Sequence, residues 1–291
     1  MRVKQFKILI FLVFALAVLT GCEETNELID LQQKDKINID STWISAQVPS
    51  AQDKITYVEE GTGVKCKNCP TAQEELERIE KKYLNKVAVV ALHCDNTLSR
   101  PFSASKYEFR TPDAFQILSI IGTPPSLPLG SVNRLAIAPD NKILNSYTTW
   151  SNLTDQDQTQ KPKANIILLN KGYDAANRFA TFQYRIEFTQ VINKPVYFTA
   201  LMTESGMIDL QETNVDIDSN YVHKHVLRKT VDAFTGIKLA DNFVPGQTFL
   251  LSFTTSIDSK WREQGIKIVS ILNFNSLDDK VVLQAHEDSV L

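Results

Sequence analysis

Hydrophobic and polar positions follow different periods in successive stretches of the chain. Residues 8–19 form an unbroken apolar run behind Arg2, Lys4 and Lys7. The run is too short for a permanent spanning helix and has the form of an export signal. Residues 55–60 read as a short strand that leads into Gly61-Thr62-Gly63 and a cysteine pair. Ala72, Leu76, Ile79 and Tyr83 then recur at helical spacing while Glu74, Glu75, Glu77, Arg78, Lys81 and Lys82 fill the other faces, which predicts an amphipathic helix from Pro70. Residues 86–93 (KVAVVALH) are almost continuously apolar, as in a strand buried on both faces, so strand, helix and strand make a βαβ unit. A long, partly helical excursion over 95–121 precedes a proline-rich turn at 124–128 and a strand at 131–138.

Beyond about residue 163 the period becomes two. Ala180, Phe182, Tyr184, Ile186 and Phe188 alternate with Thr181, Gln183, Arg185, Glu187 and Thr189, the pattern of a half-buried strand. Residues 196–203, 221–229, 248–255, 266–274 and 281–285 repeat the strand signal between turns such as Asn193-Lys194-Pro195 and Pro245-Gly246, and a β-sandwich accommodates them. The domain expectation is a signal peptide over 1–21, a polar tether over 22–39, an α/β domain over 40–162 and an all-β, immunoglobulin-like sandwich over 163–291.

Composition adds compartment and partners. Leu19-Thr20-Gly21-Cys22 after the apolar run is the cleavage site of bacterial lipoproteins, so Cys22 is the expected lipidated amino terminus and the partner it implies is a membrane. Glu23, Glu24 and Glu27 follow as an acidic tether, which leaves the periplasmic and the surface-exposed face both open. A net charge of -3 gives no reason to expect nucleic acid.

Of the remaining cysteines, Cys66-Lys67-Asn68-Cys69 stands on the strand-to-helix turn. Unpaired helix amides and the positive dipole end favour a thiolate at Cys66, with Lys67 adding charge, and Cys69 is placed to resolve a mixed disulfide. Glu60, at the end of the preceding strand, can relay a proton to the resolving thiol, and Pro128 is expected to be the cis proline beside the disulfide. Leu127 before it would offer its backbone to an extended substrate. Together these read as a thioredoxin-like domain, with an extracytoplasmic protein thiol or disulfide as the partner and no cofactor. The alternative is a structural Cys66–Cys69 disulfide in a non-catalytic binding or adhesion lipoprotein. Closing a four-residue loop stabilises by only about 2 kcal/mol, which makes such a bridge a poor staple. No second Cys-x-x-Cys pair is present to complete a zinc site, so no metal is expected. Cys94 beside His93 reads as a buried free cysteine, and His223 and His225, two apart on one expected strand, as structural residues.

The stretches Val58-Glu59-Glu60-Gly61-Thr62-Gly63 with Cys66-Lys67-Asn68-Cys69-Pro70, Pro128-Leu129-Gly130-Ser131-Val132-Asn133-Arg134, His225-Val226-Leu227-Arg228 and Val281-Val282-Leu283-Gln284-Ala285 resemble the Omp28-related outer membrane proteins. The resemblance spans most of the chain beyond Cys22. It implies an outer-membrane location and a thioredoxin-like domain, and implies no defined biochemical role.

Overall fold

The computed structural model describes residues 35–291, and these begin with a strand: β1 (Lys36–Ile44) takes in the last residues of the stretch read as tether. Cys22 and the export signal lie outside the described residues. The βαβ pattern appears as β2 (Thr56–Thr62), α1 (Cys69–Lys82) and β3 (Val87–His93), with β2 and β3 parallel. The excursion ends in α2 (Pro112–Ile121), and after it come β4 (Leu129–Val132) and α3 (Trp150–Asp157). β4 is shorter than the strand expected over 131–138, because Asn133 and Arg134 turn into the left-handed region at φ 50° and 53°. The alternating segments give β5 (Ala164–Asp174), β6 (Phe179–Phe188), β7 (Val196–Glu204), β8 (Met207–Glu212), β9 (Ile217–His223), β10 (Val226–Val231), β11 (Ile237–Ala240), β12 (Gln247–Ser256), β13 (Ile266–Asn273) and β14 (Val282–Ser289).

The strand pairing corrects the expected fold class. No α/β thioredoxin-like domain stands apart from an immunoglobulin-like sandwich; fourteen strands and three α-helices among the described residues make a predominantly β fold built on several sheets. The main sheet runs β14-β13-β7-β10-β3-β2-β4, with β11 also on β7, so it joins strands from both sides of residue 163. The reason is the edge of β3. β2, β3 and β4 alone would leave its backbone groups unpaired, and a strand edge of that kind recruits a partner. Here the Ala91 amide donates to the His225 carbonyl at 2.8 Å, and β10 continues the sheet in parallel from Val226. In the other direction, β1 from the amino-terminal side pairs with β12 in a second sheet of order β1-β12-β6-β5. The folding pattern is therefore interleaved.

Alternation distributes the side chains over three layers. One face of the main sheet packs on α2: Ala88, Val90, Leu92, Leu201, Val269 and Ile271 meet Ala114, Ile117, Leu118 and Ile121. The opposite face is covered in two halves. Phe198, Met202, Ile268 and Leu272 meet Phe182, Tyr184, Ile186, Phe249, Leu251 and Phe253 of the second sheet. Val58, Val87 and Val89 meet Ala72, Leu76 and Ile79 of α1. The start of α1 thus sits over the carboxyl ends of β2 and β3, and β8 and β9, a two-stranded sheet of their own, lie against the same place.

Candidate functional site

The cysteine turn is shaped by close backbone contacts. A Cβ on Gly63 would lie 2.6 Å from the Leu98 carbonyl oxygen, so a side chain has no room there. The Lys65 amide donates to that same carbonyl at 2.8 Å. The Cys66 amide donates to Gly63 O at 3.0 Å and the Cys69 amide to Cys66 O at 3.1 Å, which folds the pair together with Cα atoms 5.4 Å apart in a disulfide. α1 begins with Cys69 and carries Pro70 in its first turn, where a missing amide donor costs nothing; Cys66 stands ahead of the helix rather than at its start. Both cysteines are buried, Cys66 with 3% and Cys69 with 2% of its surface exposed. Lys67 is largely exposed and its ammonium lies 3.5 Å from Glu212, which engages its charge.

The strand pleat sends Val58 and Glu60 toward α1, on the side of the disulfide, and Tyr57 and Glu59 toward the α2 side. Glu60 is 1% exposed, and neither carboxyl oxygen accepts a hydrogen bond of ordinary geometry. Burial pushes its pKa up to about 8 against a smaller opposing pull from the Thr62 hydroxyl. Beside it is a narrow hollow lined by Cys69, Gln73, His93, Gln211, Tyr221 and His223, among others. Gln73 Nε2, His93 Nδ1 and His223 Nε2 are buried there without partners. Burial, with His223 and Arg228 nearby, holds the His93 imidazole well below its ordinary pKa, and burial takes His223 down to about 4 despite the opposing charge of Asp209. The Phe109 ring lies 5.0 Å from the His93 ring and 4.5 Å from that of His223.

The other sequence-predicted residues are divided among different places. The Leu127–Pro128 peptide is cis, and a Cβ on Gly61 would lie 3.3 Å from Leu127 Cδ2 and 3.5 Å from Cys94 Sγ. Leu127 and Cys94 therefore pack on the α2 side of β2, opposite the disulfide. Cys94 is a buried free cysteine whose thiol is pushed up to about 12, mainly by burial. His223 and His225 do not share a strand face, because the expected strand breaks between β9 and β10 and His225 turns at φ 55°. His225 Nε2 lies 3.2 Å from Glu80 instead. Among the described residues no group of three or more His, Cys, Asp or Glu is placed to hold a metal ion.

Sequence reasoning missed the residues that close this site. Gln211, on β8, donates from Nε2 to Gly63 O at 3.2 Å and Cys66 O at 3.1 Å, and the Glu212 amide donates to Val64 O at 2.7 Å. The β8–β9 hairpin thus roofs a turn that lies about 145 residues earlier in sequence. Its alternation around Thr213-Asn214-Val215-Asp216 was the available signal, but nothing local says where it docks.

The chain is similar to several known proteins. The family model described as outer membrane protein Omp28 matches residues 123–290. Among solved structures, the chain is similar to HBP35 of Porphyromonas gingivalis, at 16% identity and a TM-score of 0.65 over 83% of this chain and 76% of that one. It is also similar to a crystal structure of an Agrobacterium tumefaciens protein, at 12% identity and a TM-score of 0.51 over 81% and 95% of the two chains. A domain of the outer membrane lipoprotein Omp28 from P. gingivalis overlaps 43% of this chain and 86% of its own, at 13% identity and a TM-score of 0.28. At these identities the likeness to HBP35 and the Agrobacterium protein concerns the fold alone. No curated protein matches the sequence.

Proposed function

The chain belongs to the outer membrane protein Omp28 family, and from that premise we propose that it is a lipid-anchored envelope protein that acts by binding, with Cys66–Cys69 as a structural disulfide. One observation carries the reading: both sulfurs lie in buried residues, beneath a hairpin bonded to the carbonyls of their own turn. Thiol exchange requires a thiolate to reach a disulfide sulfur, and burial denies that approach. No helix among the described residues is long and apolar enough to cross a membrane, and the export motif at Cys22 supplies the anchor in this reading. The experiment is to expose the folded, oxidised protein to a small dithiol and trap free thiols by alkylation. In the native fold thiols should appear only slowly, at a rate set by local opening of the hairpin over the sulfurs. Full reduction of the native fold within minutes would overturn the structural assignment. For the anchor, Cys22→Ser should abolish labelling by fatty acid and release the protein from the membrane fraction; a labelled variant removes that part.

A second reading, thiol-disulfide exchange on extracytoplasmic proteins, is favoured by the unpartnered Glu60 carboxyl on the disulfide's side of β2. In it Cys66 attacks, Cys69 resolves and Glu60 moves the proton, while Leu127, packed on the opposite side of β2, does not meet a substrate chain held at the disulfide. Under this reading Cys69→Ser accumulates mixed disulfides with partner proteins, whereas under the structural one it does not.

A further inference from the structure

The β8–β9 hairpin is built inside out. Its register pairs Met207 with His223, Ile208 with Val222 and Gln211 with Asp218. Asp209, Gln211 and His223 face inward and are buried, while Ile208, Ile217 and Val222 are 46%, 48% and 40% exposed on the outer side. Apart from Met207, which joins Val64, Phe109 and Val226 in a small cluster, the hairpin is not held by burying an apolar face. It is held by polar contacts, and these concentrate on one place. Gln211 Nε2 bonds Gly63 O and Cys66 O, the Glu212 amide bonds Val64 O, and Glu212 pairs with Lys67. Every one of these partners lies within residues 63–67: Cys66 and Lys67 belong to the loop that the disulfide closes, and Gly63 and Val64 lead directly into it. A second fastening joins the Asp209 carboxylate to the amides of Lys106 and Tyr107, each at 2.9 Å.

Closure also has a cost. Beneath and beside the hairpin, both Glu60 oxygens, Gln73 Nε2, His93 Nδ1 and His223 Nε2 are buried without partners. Water would satisfy such groups if the hairpin lifted, so closure is opposed by unmet hydrogen bonding and depends on the latch.

We propose that the β8–β9 hairpin is a lid latched by the Cys66–Cys69 disulfide, so that the redox state of this pair sets access to the polar hollow lined by Gln73, His93 and His223. The proposal rests on the structural reading of the disulfide and states what that disulfide holds in place. Cys66 O accepts from both Cys69 N and Gln211 Nε2, so the bond that fixes the turn also fixes the acceptor of the latch. For release, a dithiol reductant is needed. One of its thiolates attacks a sulfur during a fluctuation of the lid, breaking the S–S bond and leaving a mixed disulfide and a cysteine thiolate. Its second thiolate displaces the remaining sulfur. The chain gains two electrons and two protons as two thiols, and the reductant leaves as its own disulfide.

Hydrogen exchange read by mass spectrometry on the intact protein tests this in three forms: oxidised wild type, Cys66→Ser/Cys69→Ser, and oxidised Gln211→Leu. Amides of residues 206–223 should exchange at least about tenfold faster in both variants than in the wild type, while β7 and β13 keep their protection. Equal hairpin protection in either variant overturns the latch. Loss spread evenly over β7 and β13 overturns it too, since the disulfide would then staple the whole fold. If the double serine variant does not fold, oxidised Gln211→Leu decides, because it keeps the disulfide and removes the side-chain bonds to Gly63 O and Cys66 O, along with one to the neighbouring Glu212 O. Rapid native reduction of the wild type would remove the structural reading of the disulfide, but it does not bear on where protection is lost, so the two failures are distinguishable.

Discussion

Glu59 and Glu60 are neighbours on β2, yet the two faces of that strand treat them in opposite ways. On the α2 side, Glu59 receives the Arg134 guanidinium, with Nε at 3.1 and 3.0 Å from its two oxygens and Nη2 closer still, and the Tyr57 hydroxyl at 2.7 Å. The buried charge there is matched and its lone pairs are used. On the α1 side, Glu60 has burial without a partner, beside imidazoles in the same condition. A buried charge persists only if it is paired, whereas an unpaired acid responds by holding its proton. The first face is finished as core; the second retains groups that burial alone does not explain, and it is the face on which the disulfide lies.

The largest effect should come from breaking the finished face. Arg134→Leu leaves the Glu59 carboxylate buried and uncompensated, and should cost about 3–5 kcal/mol in guanidinium unfolding at neutral pH. Glu59→Leu/Arg134→Leu should recover most of that loss, because neither charge then remains. If Arg134→Leu costs less than about 1 kcal/mol, water reaches Glu59 and the contrast between the faces dissolves.

The unfinished face predicts an effect of opposite sign. Glu60 has a folded pKa of about 8 against an ordinary 4.5, so between those values the folded chain keeps a proton that the unfolded chain gives up. Its contribution to stability is fully present below about 4.5 and is lost as the pH rises through about 8. Glu60→Gln, which stays neutral, should therefore gain on the wild type as the pH is raised, by a few kcal/mol at most at about pH 9. Other shifted groups titrate as well: His223, with its folded pKa of about 4, loses stabilisation as the pH falls below its ordinary 6.5. Such groups are common to both proteins, so the difference between the two unfolding curves at each pH isolates Glu60. A difference that does not change with pH would mean that Glu60 ionises freely.

What could be read from the sequence and what could not divides along the same line. Alternation at Ala180, Phe182, Tyr184, Ile186 and Phe188 identifies β6 because each residue's environment is set by its own strand's period, and the helical spacing of Ala72, Leu76 and Ile79 does the same for α1. The sheet's continuity was hidden, because the Ala91 to His225 bond and the pairing of β1 with β12 join segments far apart in sequence. The cysteine turn was legible from its motif, and Glu60 from its place at the end of a strand. The roof over them was not. Gln211 is one glutamine in a polar hairpin, and only the fold brings it to the carbonyl of Cys66.

The smallest predicted effect concerns the residue between the two cysteines' reading and their setting. From sequence, Lys67 is a charge adjacent to Cys66 that lowers the thiol's pKa. In the structure its side chain is 61% exposed and its ammonium is paired with Glu212 at 3.5 Å, on the outside of the turn. An exposed pair of this kind contributes about 0.5 kcal/mol or less, and salt at physiological strength screens it over about 8 Å. Lys67→Ala should accordingly shift the unfolding midpoint barely beyond error. Because the same screening acts on any influence over the sulfur, the alkylation rate of Cys66 in the reduced protein should change by no more than about threefold, and less at high salt. A slowing of tenfold or more would mean that the ammonium faces the thiolate once the disulfide is open. Lys67 would then belong to the chemistry of the turn rather than to the fastening of the hairpin, and the thiol-exchange reading would gain over the structural one.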